Sequence, residues 1–159
     1  MASVKQTQGT SVVWTSSGGD HVLTLTSLAN ANGRQGDKHD FGATFPERVR
    51  ISLLVDFNSA PTAGLTMDVY WASSVDNSNF DGECGGTDGT YNTLADCARL
   101  RYVGSLVASN DTDPQRASWT FALPARYGAP VVWNASGQAL TATGTDQVLT
   151  ATPLIGDIA

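Results

Sequence analysis

The sequence predicts an all-β protein: a two-sheet antiparallel β-sandwich, jelly-roll-like, with eight or nine strands. Three observations predict it. Apolar residues recur at every second position in several separate runs, the pattern of strands that rest one face on a core. Clusters of Gly, Asn, Asp, Ser and Pro separate those runs at irregular spacing. No stretch sustains a helical apolar period, and no repeat recurs at the length of a propeller blade or solenoid turn. Eight-odd strands with long crossings favour two stacked sheets, and a closed barrel is the alternative.

The organising stretch is Leu100 to Asn134, which reads as strand, tight turn, strand, Pro-Gly corner, strand. Leu100, Tyr102, Leu106 and Ala108 alternate along its first run, and Ala117, Trp119, Phe121 and Leu123 along its second. Asn110 to Gln115 between them is dense in turn formers. Taken from the start, residues 1–11 are polar and predict a mobile N-terminal arm, leaving residues 12–159 as a single sandwich domain. Val12-Val13-Trp14 is a short strand, Ser16 to Asp20 a turn, and Val22 to Leu28 a strand alternating apolar residues with Thr and Ser. Asn30 to Gly42 is a polar loop. Arg48 to Phe57 is the cleanest strand of the first half, with Val49, Ile51, Leu53, Val55 and Phe57 on one face. Asn58 to Gly64 turns the chain into a second alternating run, Leu65 to Ser73, and the two runs are expected to pair antiparallel. The longest break, residues 74–98, holds both cysteines, and its end could form a short helical turn over Ala95 to Arg101. Beyond Asn134, Gln138 to Ala142 and Gln147 to Ile155 are two further strands.

Composition narrows the function. The chain has 159 residues, suited to one domain with a sizeable core. Only 15% of residues are charged, below the usual quarter, so its surface can meet a neighbour with few charges to desolvate. The net charge of −6 argues against nucleic acid as partner, because phosphate binding needs a basic face. The close pairs Arg48/Arg50 and Arg99/Arg101 are expected on outer strand faces. No run approaches the ~20 apolar residues of a membrane-spanning helix, and the polar start from Met1 to Gly18 does not resemble a signal peptide. The expectation is therefore a chain made in the cytoplasm and not bound to a membrane.

Several residue sets invite chemistry. Cys84 and Cys97 share the long loop; they could form a disulfide closing a loop worth ~3 kcal/mol of unfolded-state entropy, or stay as free thiols. Two Cys without neighbouring His fall short of a zinc site. Asn77, Asn79, Asp81, Gly82, Glu83 and Asp88 fall near the spacing of a calcium loop, with Asn in the first position, Asp in the last and no flanking helices. The bland reading is Asn and Asp capping their own backbone. His39 and Asp40 could be drawn into a Ser-His-Asp set, without a nucleophile elbow to support it, and His21 is the other histidine. The two glutamates, Glu47 and Glu83, do not announce a glycosidase pair. Trp71 and Trp119 share the phase of aliphatic core residues. Trp14 and Trp133 are less settled, and if exposed they could stack on sugar rings. Asn110 and Asn134 each begin a glycosylation acceptor triplet. The reading from residues is thus a non-enzymatic structural or binding module, with no catalytic, cofactor or metal residue singled out.

Five segments carry a likeness. They are Val69-Tyr70-Trp71-Ala72-Ser73; the Gly/Asp-rich loop ending in Thr90-Tyr91-Asn92; Leu100 to Leu106; Leu123-Pro124-Ala125-Arg126-Tyr127-Gly128-Ala129-Pro130-Val131-Val132; and Thr150 to Ile155. Over residues 65–158 this pattern resembles the small β-sandwich virion proteins of tailed bacteriophages that decorate or cement a capsid. The resemblance implies a protein on the capsid surface that binds the major capsid protein as a homo-oligomer, a homotrimer by the common arrangement, with no cofactor. It carries over no residue-level motif. The N-terminal arm and the 74–98 loop become the candidate contact elements. The competing expectation is a carbohydrate-binding or adhesion module of a virion fibre or tail.

Overall fold

The computed structural model describes residues 4–158. The chain runs β1 (Val4–Gln8), β2 (Val12–Thr15), β3 (His21–Val22), β4 (Asn32–Gln35), β5 (His39–Asp40), β6 (Arg48–Val55), β7 (Thr66–Ser74), a 3-10 turn (Asp81–Glu83), β8 (Gly89–Tyr91), α1 (Leu94–Cys97), β9 (Arg101–Val107), β10 (Gln115–Ala122), β11 (Tyr127–Ala135), a second 3-10 turn (Gly144–Asp146) and β12 (Val148–Ile158). The first sheet has the order β10-β6-β12-β2-β3, with β1 on the far end of β12. The second has the order β8-β4-β11-β7-β9, with β5 also on β11. All pairs are antiparallel except β2 with β3.

The sandwich is as expected, with twelve strands among the described residues instead of eight or nine. Eight of them, β2, β6, β10, β12 and β4, β7, β9, β11, make two four-stranded sheets in the jelly-roll order. The other four are short additions at edges and ends. Residues 1–3 of the expected arm lie outside the described residues, and Val4–Gln8 pairs with Leu154–Ile158.

The inner rows follow the period of two. Ile51 faces Trp119 on one side and Ala151 on the other, and Leu53 faces Ala117 and Leu149. Val69 faces Val132 across the second sheet. These side chains meet Trp14, Trp71, Leu23 and Leu25 in one buried cluster between the sheets. Burying such aliphatic and aromatic side chains stabilises by ~1.5–3 kcal/mol each.

Four sequence expectations need correction. β6 and β7 do not pair: the Asn58–Gly64 corner carries the chain from one sheet to the other. The turn between β9 and β10 crosses in the same way. Of Val22 to Leu28 only Val22 is in a strand. Leu23 and Leu25 are buried as the alternation suggests, and Leu28 is buried out of that phase because the backbone folds on itself, with Leu28 N donating to Leu25 O and Ser27 at φ 57°. Gln138 to Ala142 contributes one isolated bridge, Leu140 to Phe57, because the side chains of Asn134 and Gln147 take the carbonyls of Gln138 and Thr141. Conversely, the polar loop from Asn30 to Gly42 contains β4 and β5. Gly33 hid β4, since a side chain there would stand 2.7 Å from the Trp133 ring.

Candidate functional site

The two sheets expose different outer faces. On the second sheet, Ala72, Ala129, Val131 and Trp133 point outward, and the segment from 75 to 100 folds over them. Cys84, Tyr91, Cys97 and Leu100 from that segment complete a second buried cluster. The long loop is therefore a cover with its own small core, pinned at several points. Arg34 on β4 forms an ion pair with Asp88, whose carboxylate also accepts from Thr24 N and Thr24 Oγ1. Burial would raise the Asp88 carboxyl, but the Arg34 and Thr24 donors outweigh it and hold it below the usual range. The Tyr91 hydroxyl donates to Gly82 O.

Cys84 and Cys97 both lie buried in this second cluster as free thiols. Burial pushes both upward, Cys97 to about 11, and leaves them poor nucleophiles. The carboxylates of the calcium spacing go to separate partners. Asp81 accepts from Ser73 N, Glu83 from Arg99, and Asp88 from Arg34 and Thr24. Asp76, which that spacing did not include, accepts from Ser78 N, Asn79 N and the Ser74 hydroxyl, as a turn cap does. Among the described residues no group of three or more potential ligands converges on one point.

Among the described residues nothing covers the outer face of the first sheet. Its outward positions are Arg48, Arg50, Ser52 and Leu54 on β6, with Ser118 opposite Ser52 on β10 and Thr150 opposite Ser52 on β12. Short hydroxyl-bearing and β-branched side chains keep this face flat. A shallow depression of 260 Å³ lies on it between Arg50 and Arg116.

A larger groove of about 1460 Å³ opens at one end of the sandwich, between the β1/β12 ribbon and residues 36–48. Phe41, Phe45 and Pro46 give it an apolar wall, and both histidines line it. His21 Nε2 lies 2.8 Å from His39 Nδ1. The two belong to strands of opposite sheets, so this hydrogen bond clasps the sandwich shut. His39 also packs edge-on against Phe41, with centroids 4.5 Å apart. The triad drawn from His39 and Asp40 does not form: His39 Nδ1 meets His21, and both Asp40 oxygens accept from Arg126. Glu47 rims the groove, while Glu83 is paired with Arg99.

The tryptophans divide differently from the expectation. Trp14 is 0% exposed and Trp133 7%, so neither can stack on a sugar from outside. Trp14 donates its Nε1–H to Asp37 O. Trp71 is core as expected, and Trp119 is half-buried at the sandwich edge beside Gly104. Asn134 is fully buried, donating to Leu28 O and Gln138 O, and is no glycan acceptor in this fold. Sequence reasoning missed the histidine clasp, whose partners lie 18 residues apart on opposite sheets, and the cover, whose apolar residues are spread thinly through a Gly-rich stretch. No family model matches the chain. No curated protein matches it either.

Proposed function

We propose that this chain is a structural virion protein, a decoration or cement protein that binds the major capsid protein of a tailed bacteriophage as a homo-oligomer and works without catalysis. One observation carries the reading: a jelly roll covers one sheet with its own 75–100 segment and, among the described residues, leaves the other sheet open, its outward side chains being mainly Ser and Thr hydroxyls with three arginines. A face of that kind is suited to lie on a second protein surface, where its Ser and Thr hydroxyls find partners at small desolvation cost. The likeness over residues 65–158 supports the same reading. A cement that binds the mature shell and not its precursor stabilises the mature shell by mass action. The carbohydrate alternative rested on exposed Trp14 or Trp133, and their burial removes its support.

The test is the protein inventory of purified virions of the phage that encodes the chain, combined with sedimentation of the isolated protein. The reading expects hundreds of copies per particle and a trimer in solution. A dozen copies would assign it to a tail or fibre, and absence from the particle would overturn it.

A further inference from the structure

The cations of this molecule are unevenly used. Arg34, Arg99 and Arg126 are each tied to a carboxylate: Asp88, Glu83 with Asp96, and Asp40. Lys38 donates to Asn77 O and sits over the Phe80 ring. Three of the remaining arginines, Arg48, Arg50 and Arg116, point outward from the open face, and none forms an ion pair among the described residues. Within β2, β6, β10 and residues 148–156 of β12 no outward position is Asp or Glu; Asp56, one residue beyond β6, continues its outward phase. In a chain of net charge −6, this is a locally positive patch on an acidic body.

The chemistry of the face is specific. The backbone groups of β6 and β12 are spent in ladders on both sides, so only side chains can bind. The depression between Arg50 and Arg116 is lined by Ser52, Ser118, Thr150 and Thr152 together with Leu54, Val148 and Gln8. Guanidinium forks flanking hydroxyl donors are matched by carboxylates, which accept two parallel hydrogen bonds from Arg. Nucleic acid fits less well. The outward positions carry no aromatic side chain on which a base could stack, and three arginines fall short of the ~6–10 phosphate contacts of a duplex-binding surface.

We infer that the open face of the first sheet is the docking surface, and that its occupant is an acidic patch on the major capsid subunit, with Asp or Glu seated between Arg50 and Arg116. This rests on the decoration reading and adds to it the face and the charge of the partner.

The experiment uses heads of the encoding phage purified without this chain. Wild-type protein, the double variant R50E/R116E and the control R101E, an exposed arginine on β9 of the other sheet, are pelleted with the heads at low and high salt. Unchanged melting temperatures establish that the variants fold. The inference expects wild-type and R101E to bind alike, R50E/R116E to bind roughly a hundredfold more weakly, and added salt to weaken wild-type more than the double variant. Equal binding by R50E/R116E would overturn the docking face and leave the decoration reading intact. Failure of wild-type to bind heads at all would overturn both. Direct binding of wild-type to duplex DNA at physiological salt, lost in R50E/R116E, would assign the face to nucleic acid and overturn the acidic partner.

Discussion

His21 and His39 share one hydrogen bond, and a shared bond between two imidazoles requires one nitrogen to stay unprotonated. Burial lowers the His39 pKa below 6.5, and the neighbouring His21 adds to the shift; Asp40 and Asp20 pull the other way without cancelling it. The unfolded chain therefore takes up this proton first. The stabilisation is fully present above about pH 6.5 and is lost as pH falls through the lower folded-state value. Asp40, held down to about 2 by Arg126 and Gly42 N, and Asp76, held lower still by its turn donors, act in a separate window below the usual carboxylate range. Urea midpoints measured from pH 8 down to pH 2 should thus decline in two steps. In His39→Gln the upper step should flatten while the lower one persists. A wild-type curve level between about pH 7 and 5 would show that the clasp is not made in solution.

At the scale of elements, the 75–100 cover is the part most open to test. One of its holds on the second sheet is Asp88, which accepts four hydrogen bonds from Thr24 and Arg34. Removing acceptors of charged or buried donors costs on the order of 2 kcal/mol, or roughly thirtyfold in a local opening equilibrium. Cys84 and Cys97 belong to the cover, are buried against the second sheet and report on its opening directly. Asp88→Ala should therefore speed their reaction with a thiol reagent by about that factor under native conditions, with both thiols almost inert in wild-type. Equal rates in the two proteins would mean that Asp88 does not pin the cover. The sequence shows why this element was hard to read. Residues such as Tyr91, Cys97 and Leu100 are too far apart to give a period, and Gly82 leaves room that Leu100 and the Tyr91 hydroxyl occupy. β6 was legible because it buries one face in unbroken alternation, β7 because it alternates as far as Trp71, and β10 because half-buried and exposed positions alternate along it. Of the candidate site, the outward placement of Arg48 and Arg50 was legible from their phase on β6. Arg116 joined them only through the strand register.

At the scale of the whole molecule, what the sequence could not supply is partnership. Strand β2 pairs with β12, and β4 with β11, across most of the chain, whereas the sequence suggested neighbours such as β6 with β7. Jelly-roll order brings the ends together: Val4 lies directly opposite Ile158, at the antiparallel spacing of about 5 Å. The same topology leaves Asp111 to Asp113 as an exposed crossing between sheets, outside every strand. A circular permutant that joins the two ends through a short Gly/Ser linker and opens the chain at Asp111 keeps every strand pair. It breaks only a turn, the kind of site where new termini are tolerated. Its far-ultraviolet circular dichroism should match wild-type, and its melting temperature should fall by only a few degrees, about 2–4 °C per kcal/mol lost at this chain length. Because β1 and β12 are then adjacent in sequence, their pairing no longer waits for closure of the whole chain, and refolding should be faster than wild-type. A permutant that fails to fold, beside a wild-type protein that does, would mean that the terminal ribbon does not form in solution.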